Sequence, residues 1–187
     1  MHLNVPNILT WLRIVMIPVV VAVFYVPESV VPEHSQNLVA TVLFTAAAIT
    51  DWFDGWLARK LGQTSEFGAF LDPVADKLMV AAALIMLVEL NRVGAPIAAI
   101  IIGREIAISA LREWMAKLGE GKSVAVNLLG KIKTAAQMIA IPLLLYHDPI
   151  GPFDPQALGT ILIFAAAALT LFSMFYYLKL ASPPTSR

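Results

Sequence analysis

Cysteine is absent from the chain, which excludes disulfide bonds, a thiolate metal site and a cysteine nucleophile. Charge is scarce as well: Asp, Glu, Lys and Arg make up 14% of the 187 residues against 59% hydrophobic, and mean hydropathy is +0.77. A soluble domain of this length needs more polar surface than that, so the composition predicts an integral membrane protein. The net charge of zero carries little information, because in a bilayer the placement of Lys and Arg outweighs their sum. No nucleic-acid partner is expected. Histidine is rare, and His2, His34 and His147 fall at the N-terminus or in loops, where they read as solvated bystanders.

What is present is a set of long apolar runs. A hydrocarbon core takes about 20 helical residues to cross, and six stretches qualify, at about 7–26, 38–60, 65–90, 94–117, 129–147 and 157–180. The segments "PESVVPEHSQN", "ELNRVG" and "YHDPIGPFDPQ" between them read as turns on one side of the bilayer. Nearly every basic residue falls on the other side, with both termini, and only Arg92 lies opposite. The positive-inside rule then puts both termini in the cytoplasm. Trp11, Trp56, Trp114, Tyr176 and Tyr177 form an inner aromatic belt, Tyr25 and Tyr146 an outer one. The first span is not expected to be a cleaved signal, because Arg13 lies within it and no small-x-small site follows. Without an internal repeat, the expectation is one all-α, polytopic domain over 1–187 with six transmembrane helices.

Against that background, residues 51–77, "DWFDGWLARKLGQTSEFGAFLDPVADK", hold four aspartates. At about 100° per residue, Asp51, Asp54, Gly55, Ala58 and Arg59 share one stripe of a helix while Trp52, Phe53, Trp56 and Leu57 point elsewhere. Gly68, Asp72 and Asp76 share a face of the next helix. If the two helices turn near Gly62, Asp51 pairs in depth with Asp76 and Asp54 with Asp72, so the four carboxylates sit level. Pro73 marks either a helix start capped by Asp72 or a kink in a helix begun near Ser65, and the level pairing prefers the kink. Four carboxylates away from water must be neutralised. Arg59 and Lys77 are the side-chain candidates, but four acids exceed what two cations balance. Divalent cations held by oxygen alone are the stronger reading, and hard carboxylates without His or Cys suit Mg²⁺ or Mn²⁺. Gly55 and Gly68 either allow close helix packing or leave room for a ligand against the metal.

The spacing Asp51-x2-Asp54-Gly55-x2-Ala58-Arg59-x8-Gly68-x3-Asp72-x3-Asp76 matches in full the signature of the CDP-alcohol phosphotransferases, and the chain resembles that family. The segments "PNILTWLR", "GREIAISALREWM" and "GKIKTAAQM" are similar to the bacterial members that use CDP-diacylglycerol as donor and glycerol 3-phosphate as acceptor. The resemblance implies a six-helix enzyme of the bacterial inner membrane with a cavity open to the cytoplasm, a role in phospholipid synthesis, and a homodimer. It implies two divalent cations on Asp51, Asp54, Asp72 and Asp76, with Asp76 as the base. CDP-diacylglycerol is expected against Thr10, Gly55, Ala58, Arg59, Gly68 and Asp72, its tails reaching into lipid.

A carboxylate beside the metal can take the acceptor hydroxyl's proton as it attacks phosphorus. The acceptor phosphate is expected on Arg104 and Arg112, which can converge on one anion, and on Lys131 or Lys133. Those two lysines diverge by about 200° on an ideal helix, so only one should point to the cavity; the resemblance to the family favours Lys131, and Lys133 is expected to snorkel to lipid phosphate. Glu105 and Glu113 read as neutralising neighbouring helices. The ordinary alternative for all four cations is positive-inside charge. A different acceptor, such as serine or inositol phosphate, is the first rival. A divalent-cation transporter is the second, disfavoured because "VATVLFTAAAI" and "LMVAAALIMLV" are nearly dry beyond the acidic cluster.

Overall fold

The computed structural model describes residues 5–61, 66–117 and 128–181, and six helices occur among them: α1 (Val5–Val23), α2 (Glu33–Leu61), α3 (Glu66–Glu89), α4 (Ala95–Lys117), α5 (Leu128–Tyr146) and α6 (Pro155–Ala181). The helices form an all-α bundle, and no strand occurs among the described residues. One segment among them, Pro155–Met174, is long and apolar enough to cross a membrane by itself; Ile8–Val23 and Ile132–Tyr146 are apolar but shorter. The other helices carry charge in mid-run, at Asp51 in α2, Asp72, Asp76 and Lys77 in α3, and Arg104 and Glu105 in α4.

Local chemistry sets the helix ends at the loops that join α1 to α2, α3 to α4 and α5 to α6. Between α1 and α2, buried Gln36 donates to the carbonyls of Val26 and Val31 at 2.9 and 2.8 Å, closing the loop onto the second helix. Asn91 terminates α3 in the left-handed region at φ 57°, which Asn tolerates better than most residues, and His147 does the same after α5 at φ 62°. Helix α6 starts with Asp154 accepting the Ala157 amide at 3.1 Å and Pro155 in the first helical position. Helix α3 runs unbroken through Pro73, so this proline lies inside a helix rather than starting one.

The core is a belt of small and branched side chains: Phe44 and Ala47 on α2, Ala83, Leu84 and Leu87 on α3, Ile101 on α4, Ile141, Leu144 and Leu145 on α5, and Ile163 on α6. Helices α5 and α6 pack most extensively. Gly159 makes that possible, since a Cβ there would stand 2.8 Å from Leu144 Cγ and 3.2 Å from Leu143 Cβ. Outside the core each helix presents apolar side chains to the surroundings, on α1 as a stripe of Ile8, Leu12, Val15 and Val19. Polar side chains are instead found inside, with Arg13, Asn37, Arg92, Arg104, Lys133 and Gln137 all buried. That distribution inverts the one a water-soluble bundle adopts. Helix α1 packs against both α2 and α3 and so bridges the two acid-bearing helices.

Candidate active site

Ten residues separate Asp51 from the end of α2, and ten separate Asp76 from the start of α3, which brings the two to one depth. At that depth α1 supplies Arg13, whose Nη1 lies 2.7 Å from Asp51 Oδ1 and 2.7 Å from Asp76 Oδ1. One guanidinium nitrogen therefore holds a carboxylate from each helix. One turn earlier on the same face of α1, Thr10 donates to Asp72 Oδ1 at 2.5 Å. Thr10 and Arg13 are both 1% exposed, while the side chains of Asp51 and Asp76 remain 36% and 43% exposed. The cation is sealed in and the acids face outward.

They face a cavity of about 250 Å³. Its walls are Ala48 and Asp51 of α2, Pro73, Asp76, Lys77, Met79 and Val80 of α3, Glu105 of α4, and Thr134, Gln137 and Met138 of α5. Glu105 stands across from the aspartates and is itself flanked by cations. Lys133 of α5 forms an ion pair with Glu105 Oε1, and Arg104 donates to the same oxygen at 3.2 Å and to Ser173 Oγ of α6 at 3.2 Å. Lys133 is 2% exposed and Arg104 7%. Both sit behind Glu105 rather than on the cavity wall.

Several expectations change here. Among the described residues the counter-charge to the acids is Arg13 and not Lys77, while the side chain of Arg59 lies outside the described residues. Lys133 does not snorkel to lipid, because Glu105, a half-buried carboxylate one helix away, holds it inside the bundle. Glu105 neutralises a neighbouring helix as expected, but Glu113 pairs with Lys117 one turn along its own helix at 2.9 Å. His34 stays solvent-exposed, as expected, while its Nδ1 lies 2.9 Å from Asp148 Oδ2. Of the other expected site residues, Gly68 is buried on α3, and the side chains of Asp54, Gly55, Ala58, Arg59, Arg112 and Lys131 lie outside the described residues. Arg13 was missed as a site residue. An arginine two turns inside an apolar helix, three residues after a threonine, was the available signal.

The donor set can be tested against a divalent cation. Asp51 and Asp76 bring two hard oxygens within reach of one small positive group, and their exposed portions face the cavity. No histidine or cysteine lies among the described wall residues, and the carboxylate oxygens suit magnesium or manganese rather than zinc. Among the described residues alone no three such ligands converge, so a complete site needs Asp54 or substrate oxygens as well.

Comparison with known proteins covers most of the chain. The family profile described as CDP-alcohol phosphatidyltransferase matches residues 3–172. A protein from Salmonella choleraesuis (strain SC-B67) is 50% identical over 184 residues, 97% of this chain and 96% of the relative. Proteins from Shigella flexneri serotype 5b (strain 8401) and Escherichia coli (strain K12) are each 49% identical over the same lengths. All three relatives are named CDP-diacylglycerol–glycerol-3-phosphate 3-phosphatidyltransferase.

Proposed function

The chain belongs to the CDP-alcohol phosphatidyltransferase family, and from that premise we propose that it transfers the phosphatidyl group of CDP-diacylglycerol to glycerol 3-phosphate and releases CMP. The product, phosphatidylglycerophosphate, feeds phosphatidylglycerol and cardiolipin synthesis. The observation that carries this reading is the pairing of Asp51 and Asp76 on Arg13 at the wall of one cavity, in a chain half identical to proteins of that name.

The roles follow from position. Asp76 takes the proton of the acceptor's hydroxyl as its oxygen attacks the β-phosphorus; the bond from that phosphorus to the CMP oxygen breaks, and CMP leaves. Arg13 holds Asp51 and Asp76 side by side from the protein side, so both present their remaining oxygens to the cavity. Thr10 orients Asp72 in the same way. Two divalent cations, Mg²⁺ or Mn²⁺, would be held by Asp51, Asp54, Asp72 and Asp76 and supply charge stabilisation to the diphosphate oxygens. Gly55, Ala58, Arg59 and Gly68 complete the donor site beside Thr10 and Asp72. Arg112 and Lys131, with Arg104 and Lys133 cancelling Glu105, make the α4–α5 side positive, and there the acceptor's phosphate is drawn.

The whole chain acts as one domain of six spans in the bacterial inner membrane, both termini cytoplasmic, as a homodimer. The apolar side chains exposed along each helix support the bilayer setting. A cation path through the bundle is opposed by Arg92, buried among carbonyl acceptors at the end away from the acids. The deciding experiment supplies purified protein with CDP-diacylglycerol, Mg²⁺ or Mn²⁺, and one acceptor at a time. CMP release dependent on glycerol 3-phosphate is expected; release with serine or inositol phosphate instead would overturn the acceptor assignment.

A further inference from the structure

We propose that Lys77 grips the phosphate group of the acceptor. The inference rests on the reaction just described and assigns a side chain to its least defined half. Lys77 lines the main cavity together with Asp76, and also lines an adjoining space of about 90 Å³ between α3 and α4 together with Glu105. Among the described residues it is the basic side chain on those walls. The acids that share them are already matched with cations: Asp51 and Asp76 with Arg13, and Glu105 with Arg104 and Lys133. Lys77 makes no hydrogen bond or ion pair with any described residue.

Its surroundings make an anion necessary. Lys77 is half-buried, and Val80, Met79, Ala81 and Ile102 line the same spaces. A cation held against apolar walls without a counter-charge is unfavourable, so the site is completed by what enters the cavity. A dianionic phosphate entering a space bordered by three carboxylates needs an uncommitted cation, and Lys77 supplies one as a compact charge with three donors. The register along α3 fits the acceptor. Asp76 and Lys77 are consecutive and border one cavity, while glycerol 3-phosphate carries its attacking hydroxyl and its phosphate at opposite ends of three carbons. A hydroxyl placed at Asp76 thus leaves the phosphate on the Lys77 and Glu105 side. There Arg104 and Lys133 keep Glu105 neutralised so that it does not repel the incoming anion.

The test measures CMP release by the full chain in mixed micelles, with glycerol 3-phosphate and CDP-diacylglycerol varied separately, for wild type, K77M and K77R. K77M is expected to raise KM for glycerol 3-phosphate about tenfold or more, the loss of one charge-assisted contact. KM for CDP-diacylglycerol should be unchanged, and K77R should recover most of the loss. If K77M does not purify folded, K77Q carries the same comparison. A K77M enzyme with wild-type KM for glycerol 3-phosphate overturns the inference, as does a rise confined to CDP-diacylglycerol, which would put Lys77 on the donor's diphosphate. Wild type that releases no CMP with glycerol 3-phosphate defeats the reaction itself, and the Lys77 assignment with it; active wild type indistinguishable from K77M defeats the assignment alone.

Discussion

Arg13 and Arg92 are both buried guanidiniums that tie helices together, at opposite ends of the bundle. Arg13 joins α1 to α2 and α3 through two carboxylates that stay partly exposed to a cavity. Arg92, in the turn after α3, donates to the carbonyls of Leu144 and Leu145 at 3.3 and 2.8 Å, to Asn37 Oδ1 at 2.8 Å and to Glu33 Oε1 at 3.2 Å, and stacks over Phe24 at 5.9 Å. Its partners are mostly neutral acceptors, including the last carbonyls of α5, which a helix end otherwise leaves open. Burial pulls Arg92 below the usual arginine value, against the charges of Glu33 and Asp148, and the guanidinium stays protonated. The same residue type thus serves two purposes. Where its acceptors are acids facing a void, the arrangement is ready to bind something; where they are backbone groups sealed from solvent, it closes the fold.

The largest effect that would break this contrast is at the cavity. Asp76→Asn should lower kcat about 10²–10⁴-fold, the scale of a lost general base. Thermal stability should be little changed, since Arg13 keeps Asp51 as a partner. Near-normal turnover would remove Asp76 from the chemistry. At the other end the outcome should reverse. Arg92→Met strands Asn37 and two carbonyls, costing on the order of 3 kcal/mol, while kcat of the protein that remains folded holds near wild type. Denaturant titration in detergent together with turnover per folded molecule separates the two, and an Arg92→Met enzyme that is stable but slow would erase the distinction.

How far the sequence disclosed this depends on whether a residue's partner is near in the chain. The helix positions were legible from apolar runs, and the depth match of Asp51 with Asp76 from counting to the turn between α2 and α3. The start of α2 was placed at 38 and lies at Glu33, because Gln36 and Asn37 look like loop residues by hydropathy but are buried through loop carbonyls and Arg92. Arg13 read as ordinary positive-inside charge because its partners lie 38 and 63 residues away, on helices whose packing around α1 no local pattern encodes. Lys133 read as snorkelling for the same reason: Glu105 is 28 residues off and meets it only once α4 and α5 flank the cavity.

A smaller effect sharpens the packing side of the contrast. Gly159→Val puts a branched side chain where Leu143 and Leu144 of α5 already stand, and Leu144 is fully buried. Forcing α5 and α6 apart should cost about 1–3 kcal/mol. Because the carbonyl of Leu144 is an Arg92 acceptor, the loss should be smaller in an Arg92→Met background than in wild type. Equal losses in both backgrounds would show the two features to be independent.

The smallest effect is a pH dependence at the same end. Burial alone would raise the Asp148 carboxyl, but hydrogen bonds from Asn37 and His34, with the charges of His34 and His147, outweigh it and hold Asp148 below the usual carboxylate value. A group whose value falls on folding stabilises the native state while ionised. That contribution is complete above the unfolded carboxylate value of about 4 and is lost as pH falls through the lower folded value. Wild type should therefore lose melting temperature on acidification below about pH 4 more steeply than Asp148→Asn, which has no charge to lose. Because Arg92 and Glu33 face the same cluster, the comparison needs an Arg92→Met control, in which the difference between Asp148 and Asn should persist through His34 and Asn37. Identical acid profiles for wild type and Asp148→Asn would mean that the cluster is held by Arg92 alone.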